Sequence, residues 1–453
     1  MINISFDSFT QDQKHAFLAF ERFFQEKTTS LFVLTGYAGT GKTTLITHLI
    51  RYVKERKYGL ELLAPTGRAA KVITLYSGQK AYTIHKQIYV WSTELQRFYR
   101  APNKQKNTIF IVDESSMLQA KNIGEGRSVF SDLMQFVYSS EGCKMILVGD
   151  VGQLPPVGQL FPLALDTQFI RKNFPDVTVF SSAMTEIVRQ SNLSSIVANS
   201  MQMRNKDKCI LPLIYSIDEN SIPLEYIEFK EQLEHCYQME GMDNVMVLTL
   251  SNRNCLAINK FIRASILFHD EELCSGDRIM IVKNNYFWIN DRKLLSFLAN
   301  GETLEVLKVI SVEEIYGQRF AKIEALLPNY PDSEPIEIIA NLHILNTEET
   351  QLSREYMNAL FDEIQKDYEH LESPVERKRQ VLKNPYFNAV QVKYAFAATT
   401  HKAQGGQWQT VFIDFTPKPM EMADDSYLKW MYTSVTRAIN RVFFLNFPKE
   451  YYR

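Results

Sequence analysis

A short glycine-rich segment, Gly36–Thr43, constrains the fold of this chain more than any other stretch. It follows the apolar run Leu31–Leu34 and precedes a segment in which apolar residues recur at helical spacing from Leu45 to Val53. A phosphate-binding P-loop requires this order of strand, glycine loop and helix, because small residues let backbone N–H groups converge on an oligophosphate at a helix N-terminus. A glycine loop that joins the two elements by chance is the alternative, and the agreement of both flanks argues against it.

Side chains in and before this loop indicate what it binds. Lys42 can reach the β- and γ-phosphates of a nucleoside triphosphate, and the hydroxyl of Thr43 is placed to hold Mg²⁺. Gln11 and Gln13 come earlier in the chain, where an amide could read the edge of a purine. A solvated helix N-terminus explains these two glutamines equally well. The sequence therefore predicts a nucleoside triphosphate site, with the base contact left open.

Length and composition limit the class of protein. The chain has 453 residues, more than one hydrophobic core usually supports, so two or more domains are expected. Its net charge of −2 gives no overall electrostatic case for nucleic acid, so any such case must be local. The five cysteines lack a C-x-x-C pair, which argues against zinc and suits reduced thiols in the cytoplasm. No signal peptide is visible at the start, and no apolar run approaches the roughly 20 residues of a membrane span.

A second strand, turn and helix follow the first. The apolar run Leu60–Ala64 leads into Pro65–Lys71, which predicts a parallel α/β sheet. The turn offers a hydroxyl, a flexible backbone and basic residues, a combination suited to holding a phosphodiester without reading bases. Thr83–Lys86 repeats that chemistry. A simple capped turn is the other interpretation of both segments.

Residues 87–107 alternate aromatic and basic side chains, among them Trp91 and Phe98. Such an insertion is typical of a β-hairpin that stacks on bases or separates them. A loosely packed surface hairpin is an equally good interpretation.

Two later strands end in polar residues that suit NTP chemistry. The strand Thr108–Val112 ends at Asp113 and Glu114, an acidic pair typical of a Walker B site. Asp113 would hold Mg²⁺, and Glu114 would orient and deprotonate the attacking water. The strand Met145–Val148 leads to Gln153, which is suited to sense the γ-phosphate.

Two arginines are candidates for stabilising the transition state of phosphoryl transfer. Arg189 lies where a phosphate could meet it, although an arginine on a surface helix is ordinarily solvated. Arg437, near the C-terminus, is the second candidate. His401 is the remaining candidate for acid–base chemistry, but a lone histidine is more often a structural hydrogen-bonder, so we assign it no such role.

The second half of the chain predicts another α/β unit with an insertion. A boundary is expected between residues 205 and 245, and a new strand begins at Val245. Short strands between about 276 and 346 predict a small β-barrel, and the charge-rich residues 350–380 predict a solvated helix. The α/β pattern resumes from Ala395 to Asp414.

Together these segments resemble the ordered motif set of superfamily 1B DNA helicases, in the RecD-like, Pif-type and Dda branch. The resemblance runs from about Gln13 to Arg441. It implies an α/β fold of two RecA-like P-loop domains, with a hairpin inserted in the first and an SH3-like β-barrel inserted in the second. The implied bounds are 1–205 for the first domain with its hairpin at 87–107, 206–275 with 386–453 for the second, and 276–385 for the barrel.

The resemblance also implies an activity and a set of site residues. The activity is ATP-driven, Mg²⁺-dependent 5′-to-3′ translocation on single-stranded DNA with unwinding of duplex DNA, by a monomer that meets single-strand/duplex junctions. The implied nucleotide contacts are Gln13, Gly36, Gly39, Thr40, Gly41, Lys42, Thr43, Thr44, Gln404 and Gly405. Asp113 joins Thr43 on the metal, and the implied catalytic residues are Lys42, Glu114, Gln153, Arg189 and Arg437. The implied DNA contacts are Pro65, Thr66, Thr83, His85, Phe98 and Thr400.

Other classes of function stay open on the sequence alone. A nucleotide-gated protein that binds or remodels single strands without separating them would share the same NTP site. An RNA motor would share it too, because backbone contacts dominate and no base-reading code is evident. The direction of movement follows only from the resemblance.

Overall fold

The first part of the chain forms an α/β sheet in the computed structural model, which describes residues 9–92, 97–120, 128–187, 194–205, 209–289, 297–328, 330, 334–418 and 424–453. Its strands are β1 (Ser30–Gly36), β2 (Gly59–Ala64), β3 (Ala81–Thr83), β4 (Tyr89–Ser92), β5 (Arg97–Arg100), β6 (Thr108–Val112), β7 (Lys144–Gly149) and β8 (Thr178–Met184). Its helices are α1 (Gln11–Gln25), α2 (Lys42–Glu55), α3 (Gly67–Ser77), α4 (Ile84–Ile88), α5 (Val129–Tyr138), α6 (Thr167–Asn173) and α7 (Ser195–Arg204).

Six of these strands build one parallel sheet in the order β3-β2-β6-β7-β1-β8. Every residue of β6 and β7 is buried, as expected for parallel strands covered on both faces. One face packs on α1, α2 and α3 through an apolar cluster that includes Phe20 and Leu49, and the other packs on α5 through Phe130 and Leu133. Since β6, β7 and β1 are neighbours, the loops that leave their carboxyl ends lie side by side.

The predicted hairpin insertion is present. Strands β4 and β5 pair antiparallel, with Trp91 opposite Phe98. The tip at residues 93–96 and the side chains of Trp91 and Phe98 lie outside the described part of the chain. The backbone therefore confirms a hairpin, and its role at a DNA fork stays a prediction.

The rest of the chain contributes ten strands and six helices within the described ranges. The strands are β9 (Ser221–Leu224), β10 (Val245–Thr249), β11 (Arg278–Ile281), β12 (Thr303–Ile315), β13 (Gln318–Leu326), β14 (Ile336–Asn341), β15 (Val390–Tyr394), β16 (Ala397–Thr399), β17 (Trp408–Asp414) and β18 (Ala438–Leu445). The helices are α8 (Tyr226–Glu240), α9 (Asn252–Ser265), α10 (Arg354–Lys366), α11 (Pro374–Lys383), α12 (Thr400–Ala403) and α13 (Asp424–Val435). Among the described residues, no helix is both long enough and apolar enough to cross a membrane.

These strands form a second sheet and a closed barrel, as the fold class predicts. The sheet has the order β16-β10-β17-β18-β9, with β10 and β16 parallel. The barrel closes in the order β11-β12-β13-β14-β15. Register shifts between Val306 and Lys308 and between Val309 and Ser311 interrupt the β12–β13 ladder, and such irregularities bend a strand. The prediction of an α/β fold with two RecA-like sheets and a five-stranded barrel is confirmed.

The charge-rich segment 350–380 differs from the single solvated helix that its composition predicts. It forms two helices, α10 and α11, separated around Ser373, which caps the second. Leu360, Ile364 and Val381 are buried against Phe320 of the barrel. Apolar residues at helical spacing override the high charge content, because one apolar stripe is enough to fix a helix on a core.

The chain divides into two compact units. The first comprises residues 1–223, 403–411 and 417–453, and the second comprises residues 224–402 and 412–416. The segments that carry Gln404 and Arg437 therefore belong to the same compact unit as the P-loop. The finer domain bounds, 1–205, 206–275 with 386–453, and 276–385, stay a prediction.

A buried ion pair fixes α9 to the start of the barrel within the second unit. Asp277 is fully buried, and its two carboxylate oxygens accept hydrogen bonds from Arg263 Nε and Nη2 at 2.8 and 2.9 Å. The backbone N–H of Cys274 also donates to this carboxylate, and His269 Nδ1 lies 3.0 Å from it. A buried charge that loses its only counter-charge is costly, so this pair makes a direct test of the fold.

We expect Asp277→Ala to lower the free energy of unfolding by roughly 3–5 kcal/mol, because it leaves the Arg263 guanidinium buried without a counter-charge. The matched control is Glu337→Ala, which removes an exposed partner of Lys322 on the barrel surface. The control should cost about 1 kcal/mol or less. Urea unfolding followed by circular dichroism measures both variants, and equal losses would show that the Arg263–Asp277 pair does not stabilise the fold.

Candidate functional site

The P-loop has the backbone geometry of a phosphate cradle. Gly39 and Gly41 have φ angles of 79° and 81°, a left-handed conformation that side chains disfavour. Gly41 is the N-cap of α2 and supplies no side-chain cap, so the first-turn N–H groups keep their hydrogens directed out of the helix. An anion at this point would receive those hydrogen bonds and the positive end of the helix dipole.

The polar side chains of the loop are held by its own carbonyl groups. Lys42 Nζ donates to the carbonyl oxygens of Gly36 and Tyr37, each at 2.7 Å. The buried hydroxyl of Thr40 donates to the same Tyr37 oxygen at 2.8 Å. Thr43 and Thr44 are exposed at the first turn of α2, where the Thr43 hydroxyl can reach a metal ion.

The acidic pair lies at the carboxyl end of β6. Asp113 Oδ1 accepts a hydrogen bond from the Glu114 N–H at 2.8 Å, and Asp113 Oδ2 accepts one from the Tyr76 hydroxyl at 2.9 Å. Both residues keep some exposure, but desolvation is the largest influence on their carboxyl groups and raises the pKa of each. Lys42 opposes that rise at both groups, so its ammonium lies within electrostatic reach of them.

Glu114 has two properties that suit a general base. Its φ of 52° places it in the left-handed region, an uncommon and costly conformation for a residue with a side chain. Its raised pKa brings the carboxylate closer to the pH at which a base works best. Tyr76, which bonds to the neighbouring acid, was not predicted from the sequence, because a single tyrosine near the end of an apolar helix carries no distinguishing signal.

The loop after β7 contributes a buried amide. Gln153 is 4% exposed, and its Oε1 has no hydrogen-bond partner within the described part of the chain. A buried polar atom without a partner is uncommon and is often satisfied by a ligand or by water. This orphaned oxygen is consistent with the γ-phosphate-sensing role that the sequence predicts, which stays a prediction.

Two C-terminal segments complete the site within the first compact unit. Gln404 is 5% exposed and donates from Nε2 to the carbonyl oxygen of Leu154 at 2.6 Å. Arg437 is 3% exposed and donates to the carbonyl oxygens of Gly406 and Thr433, each at 3.2 Å. The positive charge of Arg437 lowers the pKa of Glu114 more than any other neighbouring charge does. Arg437 therefore lies within electrostatic reach of Glu114, and its catalytic role stays a prediction.

Tyr432 and Asp150 were missed by the sequence interpretation. The Tyr432 hydroxyl accepts from the Ala38 N–H at 2.9 Å and donates to Asp150 Oδ2 at 2.7 Å. Asp150 Oδ1 accepts from the Gly152 N–H at 2.8 Å. The only available signal was the place of each residue inside a motif segment, since neither spacing nor composition points to their contact.

Gln13 lies against the P-loop, and Arg189 lies outside the described residues. The Gln13 side chain donates from Nε2 to the Gly41 carbonyl oxygen at 3.3 Å and accepts from the Thr10 N–H at 2.9 Å. It is 1% exposed, so its first role is to tie the start of α1 to the loop. A side-chain amide has two donor hydrogens and two acceptor lone pairs. One donor hydrogen and one acceptor lone pair of Gln13 therefore remain for a nucleotide base.

Two of the predicted DNA contacts in the first unit are helix caps. Thr66 and Thr83 are the N-caps of α3 and α4, and their hydroxyl oxygens accept from backbone N–H groups at 3.2 Å. Pro65 and His85 are half-buried, and burial lowers the pKa of His85, which favours its neutral form. A Cβ atom on Gly405 would lie 3.2 Å from the Thr66 hydroxyl oxygen, so this turn and the Gly405 loop are adjacent.

The predicted DNA contact in the second unit is buried. Thr400 has no exposed surface, and its hydroxyl donates to the carbonyl oxygen of Thr249 at 3.4 Å. In this arrangement the hydroxyl supports the end of β10 and does not face the surface. Its role in gripping DNA stays a prediction, as does that of Phe98.

Comparison with known proteins finds matching domain families and similar proteins. Residues 21–159 match the AAA domain family, and residues 394–445 match the UvrD-like helicase C-terminal domain family. The chain is similar to the ATP-dependent DNA helicase Dda of Enterobacteria phage T4, with 24% identity over 477 residues that cover 98% of this chain and 100% of Dda. It is 21% identical over 504 residues to an uncharacterized protein of Acanthamoeba polyphaga mimivirus, covering 93% of this chain and 97% of that protein.

A shorter sequence similarity and a structural similarity are also found. The ATP-dependent RecD2 DNA helicase of Deinococcus radiodurans is 32% identical over 133 residues, which cover 29% of this chain and 17% of RecD2. The crystal structure of the Pif1 helicase from Candida albicans aligns with a TM-score of 0.49 and 16% identity, covering 100% of this chain and 96% of that one.

Proposed function

We propose that this chain is an ATP-dependent DNA helicase of superfamily 1B, in the RecD-like, Pif-type and Dda branch, because it matches the AAA domain and UvrD-like helicase C-terminal domain families and is similar to Dda along its whole length. It hydrolyses ATP with Mg²⁺, moves 5′ to 3′ along single-stranded DNA and separates the duplex ahead of it. The observation that carries this proposal is that Lys42, Glu114 and Arg437 belong to one compact unit, with both positive charges within electrostatic reach of Glu114. Those three groups are what phosphoryl transfer to water needs: a phosphate-binding cation, a base and a second cation.

Each residue has a defined task in the reaction. Glu114 takes a proton from the attacking water while the bond between the γ-phosphorus and the bridging oxygen breaks. Lys42 and Arg437 stabilise the charge that develops on the phosphate oxygens, and the N–H groups of the P-loop hold the phosphates in place. Gln153, Gln404 and Arg189 sense the γ-phosphate, and Gln13 reads the adenine edge.

The donor set fits a magnesium ion. The carboxylate of Asp113 and the exposed hydroxyl of Thr43 are hard oxygen ligands, and Mg²⁺ usually takes few protein ligands beside phosphate oxygens and water. A bound ion would offset the negative charge of the phosphates. The Tyr76 hydroxyl orients the Asp113 carboxylate for that task.

The strand-gripping surface is proposed from the capped turns. Thr66 and Thr83 lie at helix N-termini, where N–H groups and hydroxyls suit a phosphodiester. Pro65 and His85 have the same proposed role in the first unit, and Thr400 is a separate proposed contact in the second unit. We expect a monomer whose partners are single-stranded DNA and single-strand/duplex junctions. All five cysteines are free thiols, which suits the reducing cytoplasm.

An unwinding assay on tailed duplexes tests the proposal. With ATP, the protein should unwind a duplex with a 5′ single-stranded tail much faster than the same duplex with a 3′ tail. Glu114→Gln should bind ATP yet lose turnover by about 10²-fold or more, because it keeps the shape of the base and removes its basicity. ATP hydrolysis without unwinding of either substrate would favour a remodelling protein, and faster unwinding of RNA duplexes would favour an RNA motor.

The rate of hydrolysis should fall on the acidic side as Glu114 becomes protonated. Because burial raises the pKa of Glu114 above its ordinary value of 4.5, this fall should lie above the range of an ordinary glutamate. Arg437→Ala removes the charge that lowers the pKa of Glu114. The pH below which the hydrolysis rate decreases should therefore be higher in this variant, and kcat should be lower. Single-turnover rates between about pH 5 and 9 measure both effects. Arg437→Lys keeps a positive charge and is the matched control, and an unmoved profile in Arg437→Ala would remove Arg437 from the neighbourhood of the base.

The hairpin should be needed for strand separation and not for hydrolysis. Replacing Trp91 and Phe98 with alanine removes the paired aromatics near its tip, so unwinding should fall by about tenfold or more while DNA-stimulated ATPase stays within about twofold. Tyr99→Ala, on the same strand β5, is the control for general damage to the hairpin. Equal loss of both activities in the double variant would argue against a wedge.

A further inference from the structure

One tyrosine hydroxyl joins three segments of the proposed ATP site. Tyr432 lies near the end of α13, which stops just before Arg437. Its hydroxyl accepts from the Ala38 N–H of the P-loop and donates to Asp150 in the loop after β7, at 2.9 and 2.7 Å. The P-loop, the β7 loop and the end of α13 therefore share one hydrogen-bonding group.

The hydroxyl is needed because Asp150 is buried. Asp150 is 1% exposed, and within the described ranges no lysine or arginine forms an ion pair with it. Its carboxylate is satisfied by the Tyr432 hydroxyl and by the Gly152 N–H, which donates to Oδ1 at 2.8 Å. Without the hydroxyl, Oδ2 would lose its donor in a place that water does not reach, and an unsatisfied buried acceptor is costly.

Close packing fixes the direction of the hydroxyl. A Cβ atom on Gly152 would lie 3.1 Å from Tyr432 Cε1 and 3.2 Å from Tyr37 Cδ1, so a side chain at this position would press on both rings. The rings of Tyr37 and Tyr432 meet edge to face, with centroids 6.4 Å apart. The Tyr432 ring is therefore confined on the side of the P-loop as well as on the side of the β7 loop.

Thr433, the next residue, connects the same helical turn to Arg437. The Thr433 hydroxyl oxygen accepts from the Leu154 N–H at 2.9 Å, which ties the same helical turn to the β7 loop a second time. The Thr433 carbonyl oxygen accepts from Arg437 Nε at 3.2 Å. A shift of this turn would therefore shift the guanidinium group that acts on Glu114.

We propose that Tyr432 is a positioning residue for ATP hydrolysis. Its hydroxyl holds the end of α13 against Ala38 and Asp150, and so fixes Arg437 at the distance from Glu114 and the γ-phosphate that the reaction needs. The inference rests on the proposed function. It assigns a role in ATP hydrolysis to Tyr432, which would contact neither the phosphates nor the attacking water and would act through Arg437.

Tyr432→Phe tests the hydroxyl while keeping the ring. We expect kcat for ATP hydrolysis to fall by about tenfold, the rate equivalent of losing one hydrogen bond to a charged group, while the dissociation constant for ADP changes less than about threefold. The matched control is Tyr427→Phe in the same helix, whose hydroxyl lies 3.5 Å from that of Tyr451. The control should leave both quantities unchanged. A Tyr432→Phe variant with the kcat of the unmodified protein would overturn the inference.

Two further variants separate positioning from general damage. In an Arg437→Ala background, Tyr432→Phe should lower the single-turnover rate by less than about twofold further, because its effect passes through the arginine. A full tenfold loss in that background would overturn the proposal. Gly152→Ala presses on the same ring from the β7 loop and should also lower kcat, so the test survives if Tyr432→Phe folds poorly. Absence of DNA-stimulated ATPase in the unmodified protein would instead count against the proposed function itself.

Discussion

Adjacency of three parallel strands is the constraint on which the site depends. Because β6, β7 and β1 are neighbours in one parallel sheet, their carboxyl ends open at the same edge. The backbone hydrogen bonds of the sheet therefore hold the P-loop, the acidic pair and the loop with Gln153 close together. This proximity does not depend on contacts between their side chains. The strands are buried on both faces, so this arrangement is supported by the apolar core and does not rely on the charges it gathers.

The P-loop is held by contacts that a nucleotide can replace. Lys42 and Thr40 donate to carbonyl oxygens of the loop, and the Ala38 N–H donates to Tyr432. A phosphate oxygen carries charge and is a stronger acceptor than a carbonyl or a hydroxyl, so Lys42 gains by turning to a triphosphate. The same exchange would disturb the loop at Gly36 and Tyr37, next to the Ala38–Tyr432 bond. Binding at the phosphates and placement of α13, which ends just before Arg437, are thus linked through a few adjacent backbone groups.

The sequence predicted those parts of the site in which local spacing determines geometry. The order of strand, glycine loop and helix places Lys42 at the N-terminus of the helix. The acidic pair follows a strand directly, which places Asp113 at the carboxyl end of that strand. The contact of Tyr432 with Asp150 joins segments that are far apart in the sequence. It depends on the tertiary fold that brings the C-terminal segment back to the first unit, and the periodicity of apolar residues does not predict that fold. Composition misled at 350–380, where high charge concealed an apolar stripe. Thr400 shows the same limit, because a hydroxyl inside a motif gives no sign of its own burial.

Arg437 has two opposing effects on the proposed reaction, and their sizes decide its net role. Its charge lowers the pKa of Glu114, which weakens the base, and each unit of pKa corresponds to roughly 1.4 kcal/mol between protonation states. The same charge stabilises the phosphoryl transition state, an effect worth about 10³- to 10⁵-fold in rate for arginines in such positions. Only a fraction of a pKa change appears in the rate of proton transfer, so the transition-state effect is larger. The rate of the proposed reaction is therefore highest with the guanidinium close to the phosphate, although this position weakens the base. The hydrogen bond between Tyr432 and the P-loop would hold the guanidinium in that position.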